Sequence, residues 1–210
     1  MAASSTRQQR AQHTRQQICA AAKELFLSNG YTSTTITDIA GAAGVAHQTV
    51  YFVFGSKAAV LSAIMDVEIV GDLDAIPLLD RPHVRRIAQI GDPVRRLQRI
   101  ATVSCDITQR LAPLYEIVRS GAADDDVREL LDRHEQQRWQ SLYALVGMLD
   151  GNLGPGLDLN EATDRLYALL SHDVHWLLVH RRGWSNAHWR QHLADQAERQ
   201  LLPTATNPRH

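Results

Sequence analysis

Residues 46–57, AHQTVYFVFGSK, combine side chains whose chemistry suits contact with a nucleic acid. His47 and Gln48 can donate and accept hydrogen bonds in the patterns that base edges present in the major groove. Thr49 and Tyr51 carry hydroxyl groups that suit phosphate oxygens. The stretch therefore predicts a surface that reads bases and holds the backbone of a duplex.

Two further residues of this stretch extend the same chemistry. Phe52 can contact the methyl group of thymine. Lys57 places a positive charge at the predicted start of a helix, where free backbone N–H groups also attract phosphate. Val50 and Phe54 are four residues apart and are predicted to face inward. The alternative interpretation is a plain helical subdomain whose hydroxyl and aromatic groups face solvent.

The elements that would position these side chains form a helix, a tight glycine turn and a second helix. Apolar spacing and capping signals predict helices at about 14–29, 36–43, 46–53 and 57–70. Gly44 supplies the turn between the second and the third of these helices. This arrangement is typical of a helix-turn-helix, whose second helix enters the major groove.

The distribution of charge agrees with a nucleic-acid partner for the first part of the chain only. The net charge is −1, but residues 1–60 contain five basic and two acidic groups and the remainder contains 17 basic and 21 acidic groups. Residues 1–60 therefore have a net positive charge, and the remainder of the chain, called the body below, has a net negative charge. Arg7, Arg10 and Arg15 form a basic arm, which would either lie in the minor groove or act as a solubilising tail.

The body of the chain is also predicted to be helical, because apolar residues recur at three- and four-residue spacing. Residues 71–91 are predicted to be a linker with at most one helical turn. Asp92 and Pro93 signal a helix start, and that helix is expected to end near Arg110, with Pro113 opening or kinking the next. Further helices are expected at the following ranges: 127–149, 161–182 and 185–202. We expect essentially no sheet.

Three ionisable residues fall on predicted core faces of the body: Glu135, Arg138 and Asp173. Buried charges are costly unless they are paired or bound. One explanation is an internal ion-pair network, and the other is the lining of a cavity that selects a polar ligand. An enzyme that uses the three as acid and base groups is a third alternative, although no nucleophile motif, phosphate loop or metal set accompanies them.

Hydroxyl and aromatic residues supply further candidates for such a cavity. Ser104 and Thr108 interrupt the leucine-rich inward stripe of the helix after Pro93. Aromatic residues at the flanks of their helix faces would form a rim: Trp139, Tyr143 and Trp176.

Histidine and cysteine patterns predict neither a metal site nor a disulfide. His172 and His175 point in different directions on one helix, and no nearby cysteine completes a familiar ligand set. Cys19 and Cys105 are far apart and are expected to be reduced thiols. No cofactor is predicted. The apolar runs are too short to span a bilayer and the N-terminus lacks a signal sequence, so we expect a cytoplasmic protein with no membrane partner.

The segment GYTSTTITDIAGAAGVAHQTVYFVFGSKAAVL resembles the DNA-binding domain of the TetR family of transcriptional repressors. The resemblance covers about residues 14–65, and the framework AxxAGV…TVYxxFxSKxxVL carries it. The later segment SHDVHWLLVHRRGWSNAHWRQHL is similar to the C-terminal helices of one subgroup of that family.

The resemblance implies an all-α homodimer with a three-helix DNA-binding domain and a larger helical ligand-binding and dimerisation domain. The domains implied are a flexible basic arm, the helix-turn-helix domain with its motif at about 35–54, the effector-binding and dimerisation domain, and a disordered tail, at 1–13, 14–60, 61–202 and 203–210. The implied function is a ligand-responsive repressor that a small molecule releases from a pseudopalindromic operator. An activator of the same fold is the alternative.

The resemblance also assigns roles to individual residues of the motif. Thr35 and Thr37, at the start of the first motif helix, would contact the DNA. His47 and Gln48 would contact base edges. The implied phosphate contacts come from Thr49, Tyr51 and Lys57.

Two positions depart from the family pattern. Ala46 replaces the usual polar cap, and Val53 replaces a usual His or Tyr phosphate donor. Both departures are expected to lower the affinity for DNA more than they change the fold.

The family packs its last two helices against those of a second copy. The residues expected at that interface are Leu166, Leu177, Trp184, Trp189 and Leu193. Pairing two copies sets the two recognition helices about 34 Å apart, which is one turn of DNA.

Overall fold

A computed structural model describes residues 2–71, 76–149 and 151–203, with side chains from residue 9 onward. Within these ranges the regular structure is helical and no strand occurs. The predicted tail at 203–210 lies outside the description except for Pro203. The α-helices are α1 Ala2–Asn29, α2 Ile36–Ala43, α3 His47–Phe54, α4 Lys57–Val70, α5 Pro82–Arg85, α6 Pro93–Ser120, α7 Asp125–Gly147, α8 Leu159–Leu169, α9 His172–Trp176 and α10 Asn186–Leu201.

The chain divides into two compact units, Met1–Asp72 with Pro113–Asp132, and Leu73–Ala112 with Arg133–His210. The first unit has a core in which α1, α2, α3 and α4 each bury apolar side chains. Its fully buried members include Ile18, Phe26, Ile39, Val50 and Leu61. Burying a side chain of this size contributes about 1.5–3 kcal/mol each, which is what holds the short helices α2 and α3 in place.

The second unit has its own core, which α6, α7, α8 and α10 share with residues 84–87. Its largest fully buried side chains include Trp189, Ile87, Leu97, Ile100, Leu145 and Leu149. The predicted start of α6 is confirmed, because the helix begins at Pro93 and Asp92 Oδ1 accepts a hydrogen bond from the Val94 N–H at 3.0 Å.

Helix α1 differs from the prediction, because it begins at Ala2 rather than near Thr14. The residues before Thr14 are mostly Ala, Gln and Arg, with neither Gly nor Pro. Such residues continue a helix at little cost once it is nucleated. The predicted basic arm is therefore helical from residue 2.

The linker and the helix break near Pro113 were also predicted incorrectly. A 3₁₀ turn at Leu78–Asp80, helix α5 and a second 3₁₀ turn at Arg86–Gln89 occupy much of the linker. Val84 and Ile87 are buried there, and their packing compensates for the ordering of the chain. Helix α6 continues through Pro113, whose ring is exposed and removes only one backbone hydrogen bond.

The predicted helix 161–182 is interrupted. Helix α8 ends at Leu169, Ser171 Oγ accepts a hydrogen bond from the Asp173 N–H at 3.2 Å, and α9 starts anew at His172. A π-helical turn, Leu177–Arg181, follows. Because the interruption resets the helical phase, faces that were assigned along one continuous helix do not hold beyond residue 170.

Candidate nucleic-acid interface

The first motif helix, α2, is fixed at both ends by local chemistry. Thr35 Oγ1 accepts from the Asp38 N–H at 3.1 Å and donates to Asp38 Oδ2 at 2.7 Å, while the Thr35 N–H donates to the same carboxylate at 2.9 Å. This is a capping box. Hydrogen bonds from the Thr35 hydroxyl and N–H lower the pKa of Asp38. Gly44 ends the helix at φ 66°, a conformation that a side chain disfavours.

The predicted DNA contacts at the start of α2 are exposed, but they are not equivalent. The Thr35 hydroxyl proton is already donated to Asp38, so this hydroxyl would have to leave its cap to donate to a phosphate. Thr37 is exposed on the same helix. Thr37 therefore remains the simpler candidate for a DNA contact.

Helix α3 exposes to solvent the residues that are predicted to contact bases. His47 and Gln48 are exposed, Tyr51 is 49% exposed and Phe52 is 92% exposed. Val50 turns the other way and is 1% exposed. The His47 ring packs edge-on against Tyr51, with 4.9 Å between ring centroids, so Tyr51 limits the orientations of the histidine. Thr49 is half-buried beside this surface.

The start of α3 lacks a side-chain cap, as the presence of Ala46 predicts. Ala46 has the extended backbone of a capping residue, φ −68° and ψ 144°, but makes no side-chain hydrogen bond. By contrast, Ser56 Oγ caps α4 by accepting from the Ala59 N–H at 3.1 Å. Helix α3, the recognition helix candidate, therefore lacks about 1 kcal/mol of stabilisation that the cap gives to α4.

Lys57 has a structural role that the sequence did not indicate. Its Nζ donates to the Tyr31 carbonyl at 2.7 Å and to the Thr34 carbonyl at 2.9 Å, and it lies 4.0 Å from the centroid of the Tyr31 ring. Burial lowers the pKa of Lys57, and Asp124 opposes that shift. Lys57 thus ties the start of α4 to the segment between α1 and α2, and one ammonium hydrogen remains for the predicted phosphate contact.

Arg15, which the sequence predicts to be part of a basic arm, also makes a contact that sequence reasoning did not predict. Its guanidinium carbon lies 4.4 Å from the centroid of the Phe54 ring, at the end of α3. Phe54 was predicted to face inward and is half-buried, so its side chain is only partly enclosed. Val53 is also half-buried. The contact joins α1 to the recognition helix candidate across almost forty residues of sequence, a distance over which no local pattern could report it.

In the second unit, Glu135 and Arg138 form an ion pair, which the sequence offered as one explanation. Arg138 Nη2 lies 2.9 Å from Glu135 Oε2, Tyr167 Oη donates to the same oxygen, and the Arg138 guanidinium stacks 3.7 Å from the Tyr167 ring centroid. Burial favours a raised pKa for Glu135, but the hydrogen bonds from Tyr167 and Arg138 outweigh it and the pKa is lowered. Asp173 is exposed on α9, so its assignment to a core face was wrong.

The remaining candidates for an effector site fall into two kinds of environment. Ser104 and Thr108 are buried; Thr108 Oγ1 donates to the Ser104 carbonyl at 3.1 Å, whereas Ser104 Oγ has no hydrogen-bond partner among the residues that the structure describes. Trp139 and Tyr143 stack with ring centroids 5.2 Å apart and lie near the surface. Trp176 is half-buried and stacks against Arg181 at 5.2 Å.

The predicted dimer residues separate into core and surface. Leu166, Trp189 and Leu193 are at most 1% exposed, so they belong to the core of one chain and cannot contact a second copy. This corrects their assignment. Leu177 is 51% exposed, and Trp184 is half-buried with its ring stacked on that of His188 at 3.9 Å.

Buried histidines and thiols complete the chemical inventory. His172 is 6% exposed, and burial together with Arg138 lowers its pKa to about 4. Burial also lowers the pKa of His175, whose Nε2 lies 3.0 Å from Asn186 Oδ1. In the part of the chain that the structure describes, no three His, Cys, Asp or Glu side chains are arranged to hold a metal ion.

No single helix of the described residues is long and apolar enough to cross a membrane, and only α3 and α4, bent by 64°, meet that test as a pair.

Comparison with known proteins bears on the first unit and on the fold. Residues 18–64 match the family described as bacterial regulatory proteins, tetR family. The HTH-type transcriptional regulator TtgR of Pseudomonas putida is 43% identical over 56 residues, which is 27% of this chain and 27% of TtgR. The match thus spans about a quarter of that relative.

Solved structures extend the similarity over most of the chain. NalD of Pseudomonas aeruginosa, the secondary repressor of the MexAB-OprM multidrug efflux pump, has a TM-score of 0.67 at 24% identity, covering 91% of this chain and 98% of NalD. The fatty acid degradation regulator FadR of Bacillus halodurans has a TM-score of 0.66 at 19% identity, covering 88% of this chain and 93% of FadR. Residues 18–64 are therefore similar to the tetR family of bacterial regulatory proteins, and the chain as a whole shares the all-helical fold of these solved structures.

Proposed function

We propose that this protein is a ligand-responsive transcriptional repressor that binds a pseudopalindromic operator as a homodimer. The observation that carries the proposal is the exposed face of α3. Phe52 is 92% exposed and its neighbour Tyr51 is 49% exposed, beside the exposed His47 and Gln48. An eight-residue helix that turns two adjacent aromatic rings outward leaves apolar area in water that contact with a groove would cover.

The chemistry of that face suits a duplex. Gln48 and His47, at the start of α3, supply hydrogen-bonding groups for base edges, and Phe52 supplies an apolar contact for thymine. Tyr51 and Thr49 supply hydroxyl groups for phosphate. The rigid frame beneath them, with Val50 in the core, supports their presentation as one surface.

A homodimer would place one α3 helix in each of two successive major grooves. Leu177, at 51% exposure, and the half-buried Trp184 are the predicted interface residues that a second copy could still cover. Pairing would set the two α3 helices about 34 Å apart and would require an operator with two-fold symmetry.

Repression that a small molecule relieves is supported by the second unit. Ser104 Oγ is buried and has no partner within the described part of the chain, which costs about 1–3 kcal/mol unless a water or a ligand satisfies it. We therefore place a hydrogen bond to the effector at Ser104. The effector would favour a state of the dimer that has a lower affinity for the operator. The difference in effector affinity between the two states then sets how far the affinity for DNA falls.

No observation favours the enzyme alternative. Glu135 is held ionised by Arg138 and Tyr167, which is unlike a carboxyl group that exchanges protons near neutral pH, and Asp173 is exposed. The relatives compared above are regulators.

The test is a fluorescence-anisotropy titration of the protein against duplexes selected from a random pool, at two salt concentrations. Tyr51→Ala should weaken binding at least tenfold, since it removes both the hydroxyl group and the packing of His47. Leu27→Ala removes a side chain of similar exposure, 43%, from α1 and should bind like the native protein. If no duplex is selected above random DNA, or if both variants bind equally well, the proposal fails.

A further inference from the structure

Helix α1 continues well beyond the core that it serves. Ile18 is its first buried residue among the described side chains, yet the helix begins at Ala2. From residue 9 to residue 17 the side chains are exposed or half-buried. This segment, the α1 extension, therefore adds little to the burial that stabilises the first unit.

The composition of the α1 extension favours an anionic partner. The α1 extension contains Arg10 and Arg15, Arg7 precedes it, and the first acidic residue of the chain is Glu24. Solvated surface helices of soluble proteins usually mix both signs of charge, and this one has a single sign. A helix that adds no core and carries only positive charge fits a surface for phosphate.

The α1 extension starts beside the recognition helix candidate. Arg15 stacks on Phe54, two residues from the exposed Phe52. At a rise of about 1.5 Å per residue, Arg10 lies about 7.5 Å further along the axis of α1 than Arg15. Arg15 and Arg10 are both exposed, so a duplex bound by α3 would bring its phosphates near this pair of arginines.

The helical state limits how the α1 extension can meet DNA. A helix with its side chains is about 10–12 Å wide, whereas the minor groove is about 6 Å wide. Since α1 is helical at Arg10, it cannot enter that groove as an extended arm would. We infer that the α1 extension is a rigid surface that contacts phosphates and lengthens the footprint of each protomer on DNA beyond its half-site. This inference rests on the proposed DNA binding.

The inference predicts a specific change in the salt dependence of binding. Arg10→Gln keeps helix propensity and removes one charge, so the slope of log K against log salt should fall by about 0.9 per protomer, or about 1.8 per dimer. Affinity should drop by a similar factor for every operator sequence, because a phosphate contact carries no base preference. The matched control is Gln12→Ala, at an exposed position of the same segment, which should leave the slope unchanged.

A second variant separates a rigid helix from a flexible arm. Ala11→Pro keeps all three arginines but breaks α1 within the extension, and it should lower affinity as much as Arg10→Gln. Both losses should vanish on a duplex that is trimmed to the half-sites. The inference is overturned if Arg10→Gln leaves the slope unchanged, if Ala11→Pro binds normally, or if Arg10→Gln alters the selected base sequence. Failure of the native protein to select any duplex would instead refute the proposed function.

Discussion

His172 should make the protein lose stability in mild acid. Its side chain is 6% exposed, and burial, with Arg138 adding to the effect, lowers its pKa from 6.5 to about 4. Because the folded state binds the proton less readily than the unfolded state, stability is complete above pH 6.5 and is lost as the pH falls toward 4. From pH 7.5 to pH 5.5, these two pKa values give a loss of about 1.3 kcal/mol from this one residue.

The assay is urea denaturation followed by circular dichroism at pH 7.5 and pH 5.5, for the native protein and for His172→Gln. The native free energy of unfolding should fall by at least about 1.3 kcal/mol, and His175, whose pKa is also lowered, should add to the loss. His172→Gln should retain most of its stability across the same interval, whatever its stability at pH 7.5. His13→Gln, at an exposed position of α1, is the control and should follow the native protein.

Two results would refute this reasoning. One is an equal free energy of unfolding at the two pH values for the native protein. The other is a pH-dependent loss in His172→Gln as large as that of the native protein, which would assign the effect to other groups.

Three further predictions concern single side chains. Ala46→Ser should raise the free energy of unfolding by about 0.5–1 kcal/mol in urea titrations and Ser56→Ala should lower it by about 1 kcal/mol, because each changes one helix cap. Lys57→Met should cost about 2 kcal/mol by the same measurement, since it removes two charge-assisted hydrogen bonds; an unchanged midpoint would contradict that role. Ser104→Ala should raise the thermal midpoint while weakening effector release of DNA, and a lowered midpoint would mean that the hydroxyl group is already satisfied.

Local signals explain which elements the sequence predicted well. The predicted ranges 36–43 and 57–70 match α2 and α4, because these boundaries depend on hydrogen bonds or φ angles within a few residues, at Thr35, Gly44 and Ser56. Helix α1 has no such signal before residue 14, so its true start was missed. The exposure of Phe52 followed from the same short-range periodicity.

Long-range packing explains what the sequence did not predict. Tyr167 joins the Glu135–Arg138 pair from another helix, and nothing in the spacing of these residues indicates it. Trp189 looked like an interface residue because it lies on an amphipathic helix, but the fold uses it as core. The predicted contacts with DNA and with an effector remain predictions, since each depends on a molecule outside the chain.

The two buried cysteines have a consequence for how the protein withstands oxidants. Burial raises the pKa of Cys19 to about 11 and that of Cys105 to about 12, so fewer than about one thiol in a thousand is ionised at neutral pH. Peroxides attack the thiolate, and both sulfur atoms are enclosed by the cores of their units. The protein should therefore keep its fold under oxidative stress, and a cysteine introduced on α3 should take up a maleimide dye selectively with the native thiols left in place.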